Sequence, residues 1–175
     1  MADDALAKRI YYTAHITGEF TLRSGAKSTE YFDKYLFEAE PALLRDIAAA
    51  LVRLVPPGID ALAGLEMGGI PIATMLSQLT GLPVLFVRKK AKEYGTCKIA
   101  EGGTVSGRRL LIVEDVVTQG GAVLDAAKAL RAEGAALAHV VCVIDRESGG
   151  AANLAKSDLI LTPLFTMSEL KHAAL

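Results

Sequence analysis

The segment Leu110 to Val123, LLIVEDVVTQGGAV, ends an apolar run in two adjacent acids and follows them with Thr118, Gln119, Gly120, Gly121 and a helical pattern. Gly120 and Gly121 let the backbone bend so that successive N–H groups face one point. A helix beginning there adds its positive dipole end, and the combination suits a phosphate monoester. Thr118 adds a hydroxyl donor. Glu114 and Asp115 would repel that phosphate, so their chemistry is to accept hydrogen bonds from sugar hydroxyls beside it. A phosphorylated ribose satisfies both halves. The plainer account is a glycine turn into a helix beside two solvated strand-end charges. The full order of strand, acid pair, two apolar residues, Thr-x-Gly-Gly and helix is more specific than that, and it lacks both the Gly-Lys-Ser/Thr of a Walker A loop and the GxGxxG of a dinucleotide site.

A second set of chemical groups lies in RKKAKEYGTCKIAEGG, which places Arg88, Lys89, Lys90, Lys92 and Lys98 just after an apolar run. A charge run of this kind is commonly a solvated surface. Ligands of open α/β sheets, however, bind at the C-terminal edges of strands, so this loop and the phosphate cradle could share one crevice. Gly95, Gly102 and Gly103 would let the loop move as a lid. His15, His139 and His172 are scattered and form no Ser-His-Asp or Cys-His set. Chemistry by positioning and electrostatics needs no protein nucleophile.

The elements that must position these groups follow from periodicity. Leu6, Ile10 and Ala14 predict an amphipathic helix over Asp3 to Ile16. Leu44, Ile47, Leu51 and Leu54 predict another over Pro41 to Val55, closed by Pro56-Pro57-Gly58. Phe20 to Tyr35 reads as loop and short strand. After Gly58, apolar runs at Ala61 to Leu65, Val84 to Val87, Leu110 to Val113, Val140 to Ile144 and Leu159 to Leu161 alternate with helical patterns at Ile70 to Leu79 and Ala122 to Glu133. That alternation implies an α/β fold with a central parallel sheet flanked by helices. Arg88 to Arg109 carries no pattern, and a loop of that length is usually functional or disordered.

The chain has 175 residues, 19 basic and 20 acidic side chains and a net charge of -1. One domain over 1–175 accounts for that length. The balance argues against nucleic acid as a partner, and any basic cluster must act locally. Cys97 and Cys142 suggest neither a disulfide framework nor a thiolate metal cage. The opening MADDALAKRIYY lacks the order of a secretory signal, and no apolar run approaches the roughly 20 residues of a membrane span. A cytoplasmic protein without a membrane partner is expected.

Separated motifs along the chain resemble one family. LLIVEDVVTQGGAV resembles the ribose 5-phosphate motif of type I phosphoribosyltransferases, and Arg88, Lys89, Lys92 and Gly95 match the Arg-Lys-x-x-Lys-x-His-Gly loop of orotate phosphoribosyltransferases. GEFTLRSGAKSTEYFDKY resembles that family's Phe-x-Leu-x-Ser-Gly segment and aromatic pair. The segment from Asp145 to Gly150 resembles its Asp-Arg-x-x-Gly-Gly corner, and GLEMGGIP its pyrophosphate loop.

The resemblance implies a type I phosphoribosyltransferase fold with a small N-terminal hood over about 1–40 and a core over about 41–175. It implies conversion of orotate and phosphoribosyl pyrophosphate, PRPP, to orotidine 5-monophosphate and pyrophosphate in de novo pyrimidine biosynthesis. By resemblance, Arg88, Lys89 and Lys92 are catalytic and bind PRPP together with Tyr94, Glu114, Asp115, Val116, Val117, Thr118, Gln119, Gly120, Gly121 and Ala122. Arg23, Thr118 and Arg146 bind orotate. The cofactor implied is Mg²⁺, held mainly through PRPP and waters with no protein ligand. The assembly implied is a homodimer with shared active sites, each loop reaching toward the neighbour's.

Two departures stand out. Tyr94 takes the place of a common histidine, and Gly68 that of a common lysine. Glu66 suits a pyrophosphate site only if it turns away or holds a metal-bound water. Ordinary packing competes for Tyr31, Phe32 and Tyr35, and a structural pair with Asp145 competes for Arg146. Two rivals remain at this point: a type I transferase acting on a purine base, and a non-catalytic regulator that keeps the PRPP site as a sensor.

Overall fold

The computed structural model describes residues 4–21, 25–91 and 98–175. Helix α1 (Asp4–Ala14) buries Leu6, Ala7, Ile10 and Ala14 along one face. It stops two residues short of the expected end, because His15 and Ile16 open a hairpin of β1 (His15–Thr21) and β2 (Lys27–Phe32). Ile16, Thr17 and Phe20 are residues that favour a pleated surface over a helix. The stretch expected to be loop and short strand is therefore this hairpin, followed by α2 (Lys34–Ala39).

Asp33 caps α2, its side chain accepting from Tyr35 N, and Phe37 of α2 is fully buried. Next comes α3 (Pro41–Leu51), where Pro41 fills the first turn and the Glu40 carboxylate accepts from Ala42 N and Leu43 N. A 3-10 turn at Val52–Leu54 finishes the segment expected to be helical to Val55.

The rest of the chain alternates β3 (Ala61–Leu65), α4 (Gly69–Thr80), β4 (Val84–Val87), β5 (Ala100–Glu101), β6 (Arg109–Val117), α5 (Gly121–Ala132), β7 (Ala136–Asp145), α6 (Gly150–Ala155), β8 (Ile160–Thr166) and α7 (Met167–Ala173). The six-stranded sheet has the order β5-β4-β3-β6-β7-β8, parallel except for β5, which pairs antiparallel with β4. Pro163 lies in β8, at the sheet edge, where a missing N–H is tolerated.

Both faces of the sheet are covered, and strand alternation divides the core accordingly. Leu111, Val113, Val141 and Val143 pack with α1, α3, α4 and α7, while Leu110, Ile112, Val140 and Cys142 pack with α5 and α6. This explains the continuous apolar runs, since a strand buried on both faces has no polar alternation. Among the described residues, no helix is long and apolar enough to cross a membrane.

Three strands outrun their apolar segments, β8 among them, which continues to Thr166. β6 continues through Glu114 and Asp115 to Val117, and β7 begins at Ala136. The acids therefore lie within a strand, with Glu114 opposite Cys142 and Val117 opposite Asp145 on β7. Consecutive strand residues face opposite sides, so the two carboxylates cannot have the same surroundings.

Candidate active site

At the C-terminal end of β6 the chain turns through Thr118, Gln119 and Gly120 into α5. Gly120 has φ 82°, and no side chain caps the helix it opens. The first-turn N–H groups of α5 are thus left for an external acceptor, in the positive end of the helix dipole. The turn is held from below: Asn153 Nδ2 donates to Gln119 O at 3.1 Å, and Arg146 N donates to Val117 O at 2.8 Å. Gly150 lies so close that a Cβ there would sit 2.6 Å from Thr118 O.

A cleft of about 670 Å³ opens beside this turn. Glu114, Val116, Thr118 and Ala122 line it from the cradle, and Arg146 from the end of β7. Lys89 and Glu66 line it from the loops after β4 and β3, and Phe32 and Lys34 from the N-terminal segment. Arg146 stands 6.0 Å from the Phe32 ring centroid, within cation–π range. Tyr31 is 44% exposed and stacks with Phe20, and Tyr35 is 42% exposed, so neither is a core residue.

Not every expected residue lines the cleft. Arg88 is turned aside, with its Nε 3.5 Å from Glu101 Oε1. Val117 is buried, while Gln119, Gly120 and Gly121 form the turn at the cleft's border. Arg23, Lys92 and Tyr94 lie outside the described residues. Glu66 lines the cleft, yet one carboxylate oxygen is engaged by Lys89 N at 2.5 Å, which ties the loop after β3 to the start of the basic loop.

The acid pair is unequal. Asp115 is wholly buried and forms an ion pair with Lys34, Nζ to Oδ2 at 2.5 Å, while its Oδ1 accepts from Val116 N. Burial opposes its charge, but hydrogen bonding with Glu114 and Lys34 prevails and holds its carboxyl below the usual range. Glu114 reaches the cleft, and its Oε1 accepts from Asp115 N at 3.0 Å. Burial, reinforced by the Asp115 charge, pushes the Glu114 carboxyl well above the usual range. Glu38 is buried beside Asp115, and burial, followed by its hydrogen bond with Asp115 and the Asp115 charge, raises it to about 9.

Lys34 and Glu38 were not singled out from sequence. Their signal is two charges four residues apart, in DKYLFEAE, on a segment whose intervening Phe37 is core.

Residues 36–163 match the family model described as phosphoribosyl transferase domain. The chain is 58% identical over 171 residues to an orotate phosphoribosyltransferase of Nocardioides sp., covering 98% of this chain and 96% of the relative. Among solved structures it is similar to Mycobacterium tuberculosis orotate phosphoribosyltransferase in complex with Fe(III) dicitrate, at TM-score 0.87 and 28% identity, covering 95% of this chain and 97% of that one. The same mycobacterial enzyme in complex with PRPP matches at TM-score 0.82 and 25% identity, over 96% of this chain and 98% of that one.

Proposed function

The chain belongs to the orotate phosphoribosyltransferase family, and we propose that it transfers the 5-phosphoribosyl group of PRPP to orotate, giving orotidine 5-monophosphate and pyrophosphate in pyrimidine biosynthesis. The observation that carries the reading is the juxtaposition, in one cleft, of an uncapped glycine-opened helix start, a carboxyl at Glu114 and the cations Lys89 and Arg146. Each suits a different part of the reactants.

The 5-phosphate sits on the Thr118 to Ala122 turn, with Thr118 also bordering orotate. Glu114 meets the ribose hydroxyls. An orotate ring nitrogen forms the new bond to ribose C1 as the C1–O bond to pyrophosphate breaks, and the electron pair leaves with the pyrophosphate. Lys89, joined by Arg88 and Lys92 when the basic loop closes, stabilises the departing charge. Tyr94 adds a hydroxyl donor to the same group. Arg146, with Arg23, meets the orotate carboxylate.

Among the described residues, no three acidic, histidine or cysteine side chains are grouped to hold a metal ion. Glu66 and Glu114 on the cleft wall fit Mg²⁺ carried on substrate oxygens, by accepting hydrogen bonds from its waters. Bound in that way, it would offset the negative charge building on the leaving group. A homodimer in which each basic loop reaches the partner's site follows from the loop's resemblance. A cytoplasmic location follows from two cysteines that suggest no disulfide framework.

The test is orotate consumption by ultraviolet absorbance with PRPP and Mg²⁺, beside adenine, hypoxanthine and uracil as competing bases. Magnesium-dependent loss of orotate alone is expected. Turnover of a purine instead would refute the base assignment, and PRPP binding without turnover of any base would make the chain a sensor.

A further inference from the structure

Asp115 is placed where a ribose-binding acid is expected, yet both of its oxygens are engaged inside the protein. Oδ1 accepts from Val116 N, and Oδ2 meets the Lys34 ammonium at 2.5 Å. Lys34 opens α2, whose orientation is fixed by the Asp33 cap and by Phe37 in the core. Glu38, one turn further along the same helix face, lies against the same carboxylate. Opposite them the start of α4 carries no side chain. A Cβ at Gly68 would collide with Asp115 Oδ2 and stand 2.8 Å from Glu38 Oε1. The gap between β6 and α4 is thus filled by groups delivered from α2.

We propose that Lys34 is a positioning residue: by tying Asp115 to α2 it fixes the β6 backbone from which Glu114 is presented to the ribose. The link is direct, because the amide of Asp115 is the donor that holds Glu114 Oε1. Lys34 therefore acts through Asp115, which ties the N-terminal segment to the cradle. The inference rests on the assignment of Glu114 to the ribose.

The experiment is a double-mutant cycle in PRPP affinity, measured by calorimetry with Mg²⁺ for the wild type, Lys34→Met, Asp115→Asn and the double variant. Loss of a group that orients a ligand-binding side chain typically costs about tenfold or more. Each single variant is expected to lose about that much, and the double variant no more than about twofold beyond the weaker single, since removing both ends of one tie removes it once. Additive losses would put Lys34 on the substrate itself and overturn the proposal, as would wild-type affinity in Lys34→Met. Thermal denaturation of the same four proteins needs no ligand, and melting-temperature losses that add would overturn the tie independently. If Lys34→Met does not fold, Lys34→Gln takes its place in the cycle. Glu114→Gln separates the two readings: unchanged PRPP affinity there removes the ribose assignment, whatever the cycle gives.

Discussion

Gly121→Ala tests the phosphate cradle with little disturbance of the empty protein. A Cβ at Gly121 has nothing within 4 Å, and the residue is the first of α5. Cα–Cβ bonds in a helix tilt toward its N-terminus, so the new methyl projects toward the mouth where the first-turn N–H groups converge. Alanine in place of glycine within a helix is worth roughly 0.5–1 kcal/mol, and 1 kcal/mol moves the melting temperature of a chain this size by about 2–4 °C. The unliganded variant should therefore melt between the wild-type temperature and about 4 °C above it. A hydrogen bond to a charged group contributes about 1.5–3 kcal/mol, so losing one from the phosphate weakens PRPP by roughly ten- to a hundredfold. Calorimetry for binding and a ligand-free melt read the two effects separately. Wild-type PRPP affinity at an unchanged melting temperature would refute the cradle. A melting temperature several degrees lower would show that the space beside Gly121 is not open.

Lys92→Ala should lower turnover by about a hundredfold or more while leaving the thermal midpoint unchanged, as expected for a cation that meets charge only as pyrophosphate departs; full activity would return Lys92 to an ordinary solvated charge. Glu38→Gln bears on stability against pH. The folded-state carboxyl is raised to about 9, so between the ordinary carboxylate range and that value the folded protein holds a proton that the unfolded chain has released, and stability falls as pH rises through that window. Melts from pH 5 to 9 should show a downward slope that flattens in Glu38→Gln, and parallel curves would contradict it. Cys142 is fully buried with its thiol pushed well up by desolvation, so a thiol reagent at pH 8 should spare it until the protein unfolds; rapid labelling of Cys142 in the native protein, located by peptide mass, would count against that packing.

The strands at 61–65 and 84–87 and the helix after Gly120 were legible because doubly buried strands and a glycine-opened helix leave strong local signals. The hairpin over residues 15–32 was not. Its strands are mostly half-buried or exposed, and the helical spacing of Leu6, Ile10 and Ala14 runs straight into it. α2 and α6, each six residues long, are too short to establish a period. The inequality of Glu114 and Asp115 was hidden by ending the strand at Val113, where the apolar residues stop; extended to Val117, strand alternation alone separates them. The spacing of Lys34 and Glu38 marks a charged helix turn but does not name its partner, since Asp115 lies 81 positions beyond Lys34 and only the tertiary fold brings them together.

The lack of a side chain at Gly68 also constrains how this sequence can drift. Positions 34, 38, 68 and 115 share one small volume, so a lineage cannot acquire a bulky residue at 68 in a single tolerated step while Lys34 and Glu38 still reach the Asp115 carboxylate. A side chain at position 68 and the Lys34–Glu38 pair of α2 exclude one another sterically, so passage to a bulky residue there requires the α2 pair to be surrendered first. Relatives should therefore divide by the joint identity of residues 34 and 68, and a chimera that combines Lys34 and Glu38 with a bulky residue at 68 should fold poorly, since all three would compete for the space beside Asp115.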